Sequence, residues 1–212
     1  MLYAILIDGG FARRILGSSE MPADSEDIKA LVKCIQRSPY LEGHVLHRIY
    51  YYDAYTLTGK EKIPLGGGVQ DFSNTPLAIR SSEIFNRLKT EPYFAMRMGE
   101  TSFNGWRVKA QLFNTKEPSI TITSGDILAN ISQKGVDMRI GMDIASLTLK
   151  KIVHILVLVT GDSDFVPAMK FARREGANLF TASLGHKVKE SFAEHSDLEL
   201  GITLDDVKNL RS

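Results

Sequence analysis

Asp162 and Asp164 stand one residue apart behind the apolar run Ile152–Val159, separated from it by Thr160 and Gly161. Like charges this close repel, and a bound cation is the usual reason for a chain to crowd them. Two further acids share the setting. Asp8 closes the apolar run Leu2–Ile7 and precedes Gly9 and Gly10, and Asp137 follows the polar, glycine-containing stretch Ser132–Val136. Carboxylates without Cys or His beside them suit a hard cation, Mg²⁺ or Mn²⁺. Such an ion offsets charge on a phosphodiester and lowers the pKa of an attacking water, which is the chemistry of metal-dependent nucleases. Each acid alone has a plainer role open to it. Asp8-Gly9-Gly10 reads equally well as a turn, and Asp137 as a helix cap. Asp164 can cap the helix that follows and still bind metal. Asp143 lies about 240° around a helix from Asp137, so it faces the same pocket only if Asp137 precedes the helix. Its other reading is a solvated or buried helix acid. The common placement of the acids at element ends is what argues for one site.

No rival chemistry is spelled out by spacing. Gly66–Gly68 is followed by no Lys-Ser/Thr pair and is not a phosphate loop. His44, His47, His154, His186 and His195 show no metal-ligand spacing. The single cysteine, Cys34, permits neither an internal disulfide nor a cysteine-rich zinc site and fits a reducing cytoplasm. Leu2–Ile7 is too short for a signal peptide, and no apolar run approaches the ~20 residues that span a bilayer. A net charge of +1 names no partner. Residues 60–116, however, hold nine Lys/Arg against five Asp/Glu, a local balance of +4, together with Phe72, Phe85, Tyr93, Phe94, Phe103, Trp106 and Phe113. Basic groups neutralise phosphates and aromatic faces stack bases, as in proteins that bind single strands. Arg97, Arg107 and Lys109 are the candidates there, and Arg13, Arg14, Lys134 and Arg139 flank the acids. The alternative is an aromatic core beneath a solvated charged face.

The acids need a scaffold. The apolar runs 2–7 and 152–159 read as strands, the second buried on both faces. Val45–Tyr52 reads as another, ending at Asp53. A helix begins near Phe11, and a second is capped by Asp24 or Ser25, carries Ile28, Leu31, Val32 and Ile35, and stops before Pro39. Residues 58–76 have loop composition, and Ser81–Lys89 fits a short helix. Phe94–Met98 and Trp106–Phe113 are predicted to form a hairpin through Gly99–Gly105, placed at the sheet edge. Ile120–Thr123 is predicted as a short strand. The helix after Asp137 presents Ile140, Ile144, Leu147 and Met138 on one face. Helices over Phe165–Arg174 and Val188–His195 bracket a strand at Asn178–Ser183, and Leu198–Leu210 is weakly patterned. Strands alternating with helices predict a three-layer α/β fold, a central and mainly parallel sheet flanked by helices, with the hairpin as an excursion. In such sheets the carboxyl ends of adjacent strands converge on the ligand site.

Four segments carry a family resemblance: Ile7–Gly10 (IDGG), Tyr50–Ala54 (YYYDA), Lys134–Asp137 (KGVD, running on to Asp143) and Thr160–Phe165 (TGDSDF). In this order they resemble the NYN domain family, relatives of the PIN-domain nucleases, with the bacterial LabA-like branch nearest. The resemblance covers about residues 1–195 and implies a single PIN-like domain over 1–212, with 196–212 as a C-terminal extension. It implies a ribonuclease that hydrolyses RNA, single-stranded or structured, through a Mg²⁺ or Mn²⁺ site. Asp8, Asp137, Asp162 and Asp164 would be its catalytic and metal-site acids, with Asp143 an addition to the metal set. Thr160 and Ser163 could supply hydroxyl contacts, and a homodimer is left open. Many members carry an asparagine shortly after the first aspartate, where this chain reads Gly9-Gly10-Phe11-Ala12. That departure supports the alternative of a non-catalytic RNA-binding module of the same fold. A phosphatase acting on small phosphoesters is the third reading.

Overall fold

The computed structural model describes residues 1–211. In chain order the elements are β1 (Leu2–Asp8), α1 (Gly9–Leu16), α2 (Ser25–Gln36), β2 (Val45–Ala54), β3 (Lys60–Lys62), β4 (Val69–Asp71), α3 (Pro76–Leu88), β5 (Phe94–Val108), β6 (Ile127–Lys134), α4 (Val136–Leu149), β7 (Ile155–Val159), α5 (Val166–Arg174), β8 (Asn178–Thr181), α6 (Glu190–Ala193), β9 (Leu198–Glu199) and α7 (Leu204–Arg211). Seven strands form the central sheet in the order β6-β5-β2-β1-β7-β8-β9. All neighbours in it run parallel except β5 and β6. β1 sits at the middle, between β2 and β7.

The pleat sorts β1 and β7 into two cores, because successive side chains point to opposite faces. Ile5, Ile7, Val157 and Val159 pack beneath α1, α2, α3 and α7, while Ala4, Leu6, Leu156 and Leu158 pack beneath α4, α5 and α6. A strand buried on both faces has no polar positions to alternate, and this is why both runs read as continuously apolar. α2 is closed by a capping box, with Asp24 accepting from the Asp27 amide and Asp27 accepting from the Asp24 amide. α3 starts earlier than its sequence pattern suggests. Thr75 caps it and Pro76 occupies its first turn, where the missing N–H costs nothing.

Several expectations for residues 58–138 are corrected. Phe94–Met98 and Trp106–Phe113 do not form a hairpin. Phe94–Met98 and Trp106–Val108 lie on one long strand, β5, whose antiparallel partner is β6, and Ala110–Phe113 form a short 3-10 turn after it. The turn-forming residues between them produce a bulge: the register shifts between Phe103 and Trp106, and Gly105 takes φ +84°. The hairpin that leaves the sheet is β3–β4, inside the segment read as loop. Ile120–Thr123 is not a strand, and pairing starts only at Ile127. Met138 is 70% exposed and off the buried face that Ile140, Ile144 and Leu147 share. Residues 196–211 continue the fold, because β9 extends the sheet and Arg211 of α7 pairs with Asp24 and Asp27 at the start of α2. Among the described residues no helix is long and apolar enough to cross a membrane.

Candidate active site

The parallel register brings the acids to one end of the sheet. Ile7 pairs with Val159, so Asp8 and Thr160 leave β1 and β7 side by side. The Thr160 hydroxyl donates to Asp8 Oδ2 at 3.1 Å, and the Phe11 amide donates to Asp8 Oδ1 at 3.0 Å. Asp8 is therefore both the last residue of β1 and the N-cap of α1. Thr160 Oγ1 also accepts from the Asp162 amide at 3.2 Å, and Asp162 Oδ1 accepts from the Asp164 amide at 2.9 Å. One short hydrogen-bonded chain thus sets the backbone from Asp8 to Asp164. Asp137 comes in from the first turn of α4, where a carboxylate is favoured by the helix dipole. It does not cap that helix. Gly135 does, at φ +77°, a conformation that suits glycine.

Two glycines allow the close packing around these acids. A Cβ on Gly9 would lie 2.6 Å from the Tyr51 ring and 2.7 Å from the Tyr52 carbonyl oxygen. A Cβ on Gly161 would lie 2.9 Å from both the Phe11 and His186 rings. Backbone therefore stands where side chains cannot fit, and α1 and the 160–164 turn are drawn against the strand ends.

The electrostatics separate two classes of acid. Among the described residues none of Asp8, Asp137, Asp162 and Asp164 forms an ion pair, whereas Asp53 and Asp143 each hold an arginine. Burial pushes the Asp8 carboxyl above the ordinary range; its two hydrogen bonds oppose this, and the charges of Asp137 and Asp53 add to it. Asp137 is pushed up by desolvation first and then by Asp162 and Asp164. These groups therefore feel one another as like charges, with no cationic side chain to relieve them. Their oxygen-only chemistry fits a hard divalent cation. No three His, Cys, Asp or Glu side chains among the described residues are gathered closely enough to enclose an ion.

A family model described as NYN domain matches residues 4–199. The chain belongs to the NYN domain family. NYN domains are PIN-like, a group made up generally of nucleases that use divalent metals. A solved structure of similar fold is that of VPA0982 from Vibrio parahaemolyticus RIMD 2210633, described as a protein of unknown function. Its TM-score is 0.51 at 15% identity, covering 97% of this chain and 94% of that one. No curated protein matches the chain.

Within this NYN domain the remaining candidates divide by what they touch. Asp143, unlike the four acids, has a basic partner among the described residues. It accepts from Arg97 Nε at 2.8 Å and from the Tyr52 hydroxyl at 2.9 Å. Arg97 lies level with Asp8 across two strands, since Asp8 pairs with Tyr52 and Tyr52 with Arg97, and its guanidinium also sits 5.0 Å over the Tyr50 ring. Arg139 Nε donates to the Met98 carbonyl. Arg14 stacks 5.8 Å over Phe11 and lines a cleft with Arg80 and Ser18. Lys134 and Ser163 flank Asp137 and Asp162, at the end of β6 and in the turn after β7. Arg107 lies about 33 Å further along β5 than Arg97, at ~3.3 Å per residue, and Lys109 follows the end of the strand. Lys109 is spent on the Gly125 carbonyl at 2.7 Å.

Arg13 has a structural partner that sequence reasoning passed over. Its Nη2 lies 2.8 Å from Asp53 Oδ2, its Nη1 donates to Ser81 at 3.0 Å, and its Nε is buried without a partner. Asp53 also accepts from the Ala54 amide and the Tyr51 hydroxyl. Burial pushes Asp53 upward more than Arg13 pulls it down. The signal available beforehand was the acid at the end of the Tyr50–Tyr52 strand, the same placement that marked Asp8.

Proposed function

We propose that this NYN domain is a divalent-metal-dependent ribonuclease that hydrolyses RNA phosphodiester bonds. The observation that carries the reading is that Asp8, Asp137, Asp162 and Asp164 have no basic partner among the described residues, whereas Asp53 and Asp143 each hold an arginine. Asp8, Asp137, Asp162 and Asp164 would hold Mg²⁺ or Mn²⁺, which when bound supplies charge neutralisation at the phosphate and a more acidic water. Thr160 keeps Asp8 in orientation by its hydroxyl, and the Phe11 amide keeps the same carboxylate at the mouth of α1. Asp162 and Asp164 are set by their own turn, with Ser163 between them positioned toward the backbone of a bound strand. Arg14, Lys134 and Arg139, near the acids in the chain, would take the flanking phosphates by charge, while Arg97 is held by Asp143 at 2.8 Å. In this reading Asp143 serves as a positioning residue, because it holds Arg97 and Tyr52. Arg107 and Lys109 contribute at most to a distal stretch of RNA.

A second reading, an RNA-binding module without turnover, is favoured by the Gly9-Gly10 sequence. One experiment separates the two. End-labelled single-stranded RNA is incubated with the protein in Mn²⁺, Mg²⁺ or EDTA, beside Asp162→Asn, which keeps the acceptor for the Asp164 amide. Cleavage that needs metal and is lost in the folded variant supports the ribonuclease. Binding without cleavage in any metal supports the module. Cleavage that persists in the variant refutes the site.

A further inference from the structure

A cavity of about 280 Å³ opens between the end of β2, α3, β4 and the β5–β6 pair. Its wall is apolar, from Leu57, Phe72, Leu77 and Ile131, and its polar edge includes Gln70 and Gln133. Two stretches of chain tie it to the acids. Arg13 lines it and lies one and a half turns beyond Asp8 on α1, about 7.5 Å along the axis at 1.5 Å per residue. Gln133 lines it and is separated from Asp137 only by Lys134, Gly135 and Val136.

We propose that this cavity receives one unpaired base of the RNA strand and gives the site a base preference next to the point of cleavage. This rests on the ribonuclease reading and deepens it. The charge of the cavity argues for a base and against a phosphate. Arg13 is its only ionisable lining residue, and that guanidinium is already neutralised by Asp53 at 2.8 Å. A neutral ligand with a flat apolar face and a hydrogen-bonding edge matches what remains. Phe72 is buried and anchors the wall, in contact with the Phe103 and Trp106 rings at 5.7 and 6.4 Å between centroids. Leu77 and Ile131 stand 60% and 44% exposed at the rim, a cost that a stacked base would relieve. The Gln133 amide makes no side-chain hydrogen bond among the described residues, and an amide can both donate to and accept from a base edge. The backbone of the same strand would pass the acids while its base turns into the cavity.

The full chain is titrated, in Ca²⁺ with strand integrity checked on gels, against labelled single-stranded RNA and an abasic ribose-phosphate strand of equal length, using fluorescence anisotropy. The wild type should favour the base-bearing strand by about tenfold or more. Gln133→Ala and Leu77→Ser alter exposed side chains without adding charge. Each should reduce that preference to less than about threefold while leaving the affinity for the abasic strand unchanged. Equal affinity for the two strands, or variants that keep the full preference, overturns the base pocket and leaves the ribonuclease reading standing. No binding to either strand overturns the pocket, and if metal-dependent cleavage is also missing it overturns the ribonuclease reading with it.

Discussion

Replacing Arg13 with Met removes the guanidinium while keeping an apolar stem in the same space. The substitution deletes the 2.8 Å ion pair with Asp53 and the hydrogen bond to Ser81. Asp53 keeps its bonds from the Ala54 amide and the Tyr51 hydroxyl, but its side chain is 0% exposed and loses its counter-charge. Breaking a buried pair from one side costs roughly 3–5 kcal/mol. Arg13 is 19% exposed, and its unpartnered Nε is relieved of burial. Both facts put the expected loss near the lower end, about 3 kcal/mol at neutral pH. With a urea m-value of about 1–3 kcal/mol/M, the unfolding midpoint should fall by at least about 1 M at unchanged m. The loss should depend on pH. Asp53 titrates above its ordinary range already, and without Arg13 it moves further up. A raised carboxyl contributes stability that is complete below the unfolded pKa and lost as pH rises through the folded pKa. The deficit of Arg13→Met should therefore be smallest near pH 4 and grow toward neutrality. The double variant Arg13→Met/Asp53→Asn should recover a large part of it, since no unpaired charge is left buried. Urea titrations at several pH values check all three statements. A deficit that does not change with pH, or a double variant as unstable as the sum of the singles, would refute the argument that Asp53 and Arg13 act as one unit.

Two further outcomes follow from the same geometry. Asp143→Ala should cost about 2 kcal/mol in thermal or chemical unfolding, because the buried Tyr52 hydroxyl loses its acceptor as well as Arg97 its partner. Its effect on cleavage should be much smaller than that of Asp8→Asn, and equal losses would place Asp143 among the metal-site acids. Gly161→Ala should lower stability by about 1–3 kcal/mol, since the new Cβ meets the Phe11 and His186 rings at 2.9 Å and one of them must shift. Retained stability with full cleavage would show that the turn carrying Asp162 and Asp164 is not held by that contact.

The strand–acid–glycine pattern at Asp8 and at Asp162 was readable from the chain alone. Burial on both faces forces a continuous apolar run, so the acid that closes it stands out from the run. The same local logic located α2, capped by Asp24, and the buried face of α4. From residue 58 to residue 134 local pattern failed, and the cause is specific. Gly99, Asn104 and Gly105 are turn formers in any single-strand reading. Only the partner strand β6, more than twenty residues further on, decides that they make a bulge in β5 and not a reversal. Pairing of that range is a tertiary fact, with no signature in either segment by itself.

The basic residues show the same division. The sequence by itself determined that arginines and lysines lie near acids and aromatics, and that carboxylates stand at strand ends. It did not determine which charges were already used. Arg13 belongs to Asp53, Arg97 to Asp143 and Lys109 to the Gly125 carbonyl, over separations of 40, 46 and 16 residues. Distance in space decides whether a charge is satisfied, and distance along the chain carries no record of it. The fold paired Asp53 and Asp143 with arginines and, among the described residues, left Asp8, Asp137, Asp162 and Asp164 without a basic partner. This distinction separates a structural ion pair from a carboxylate whose charge no side chain offsets.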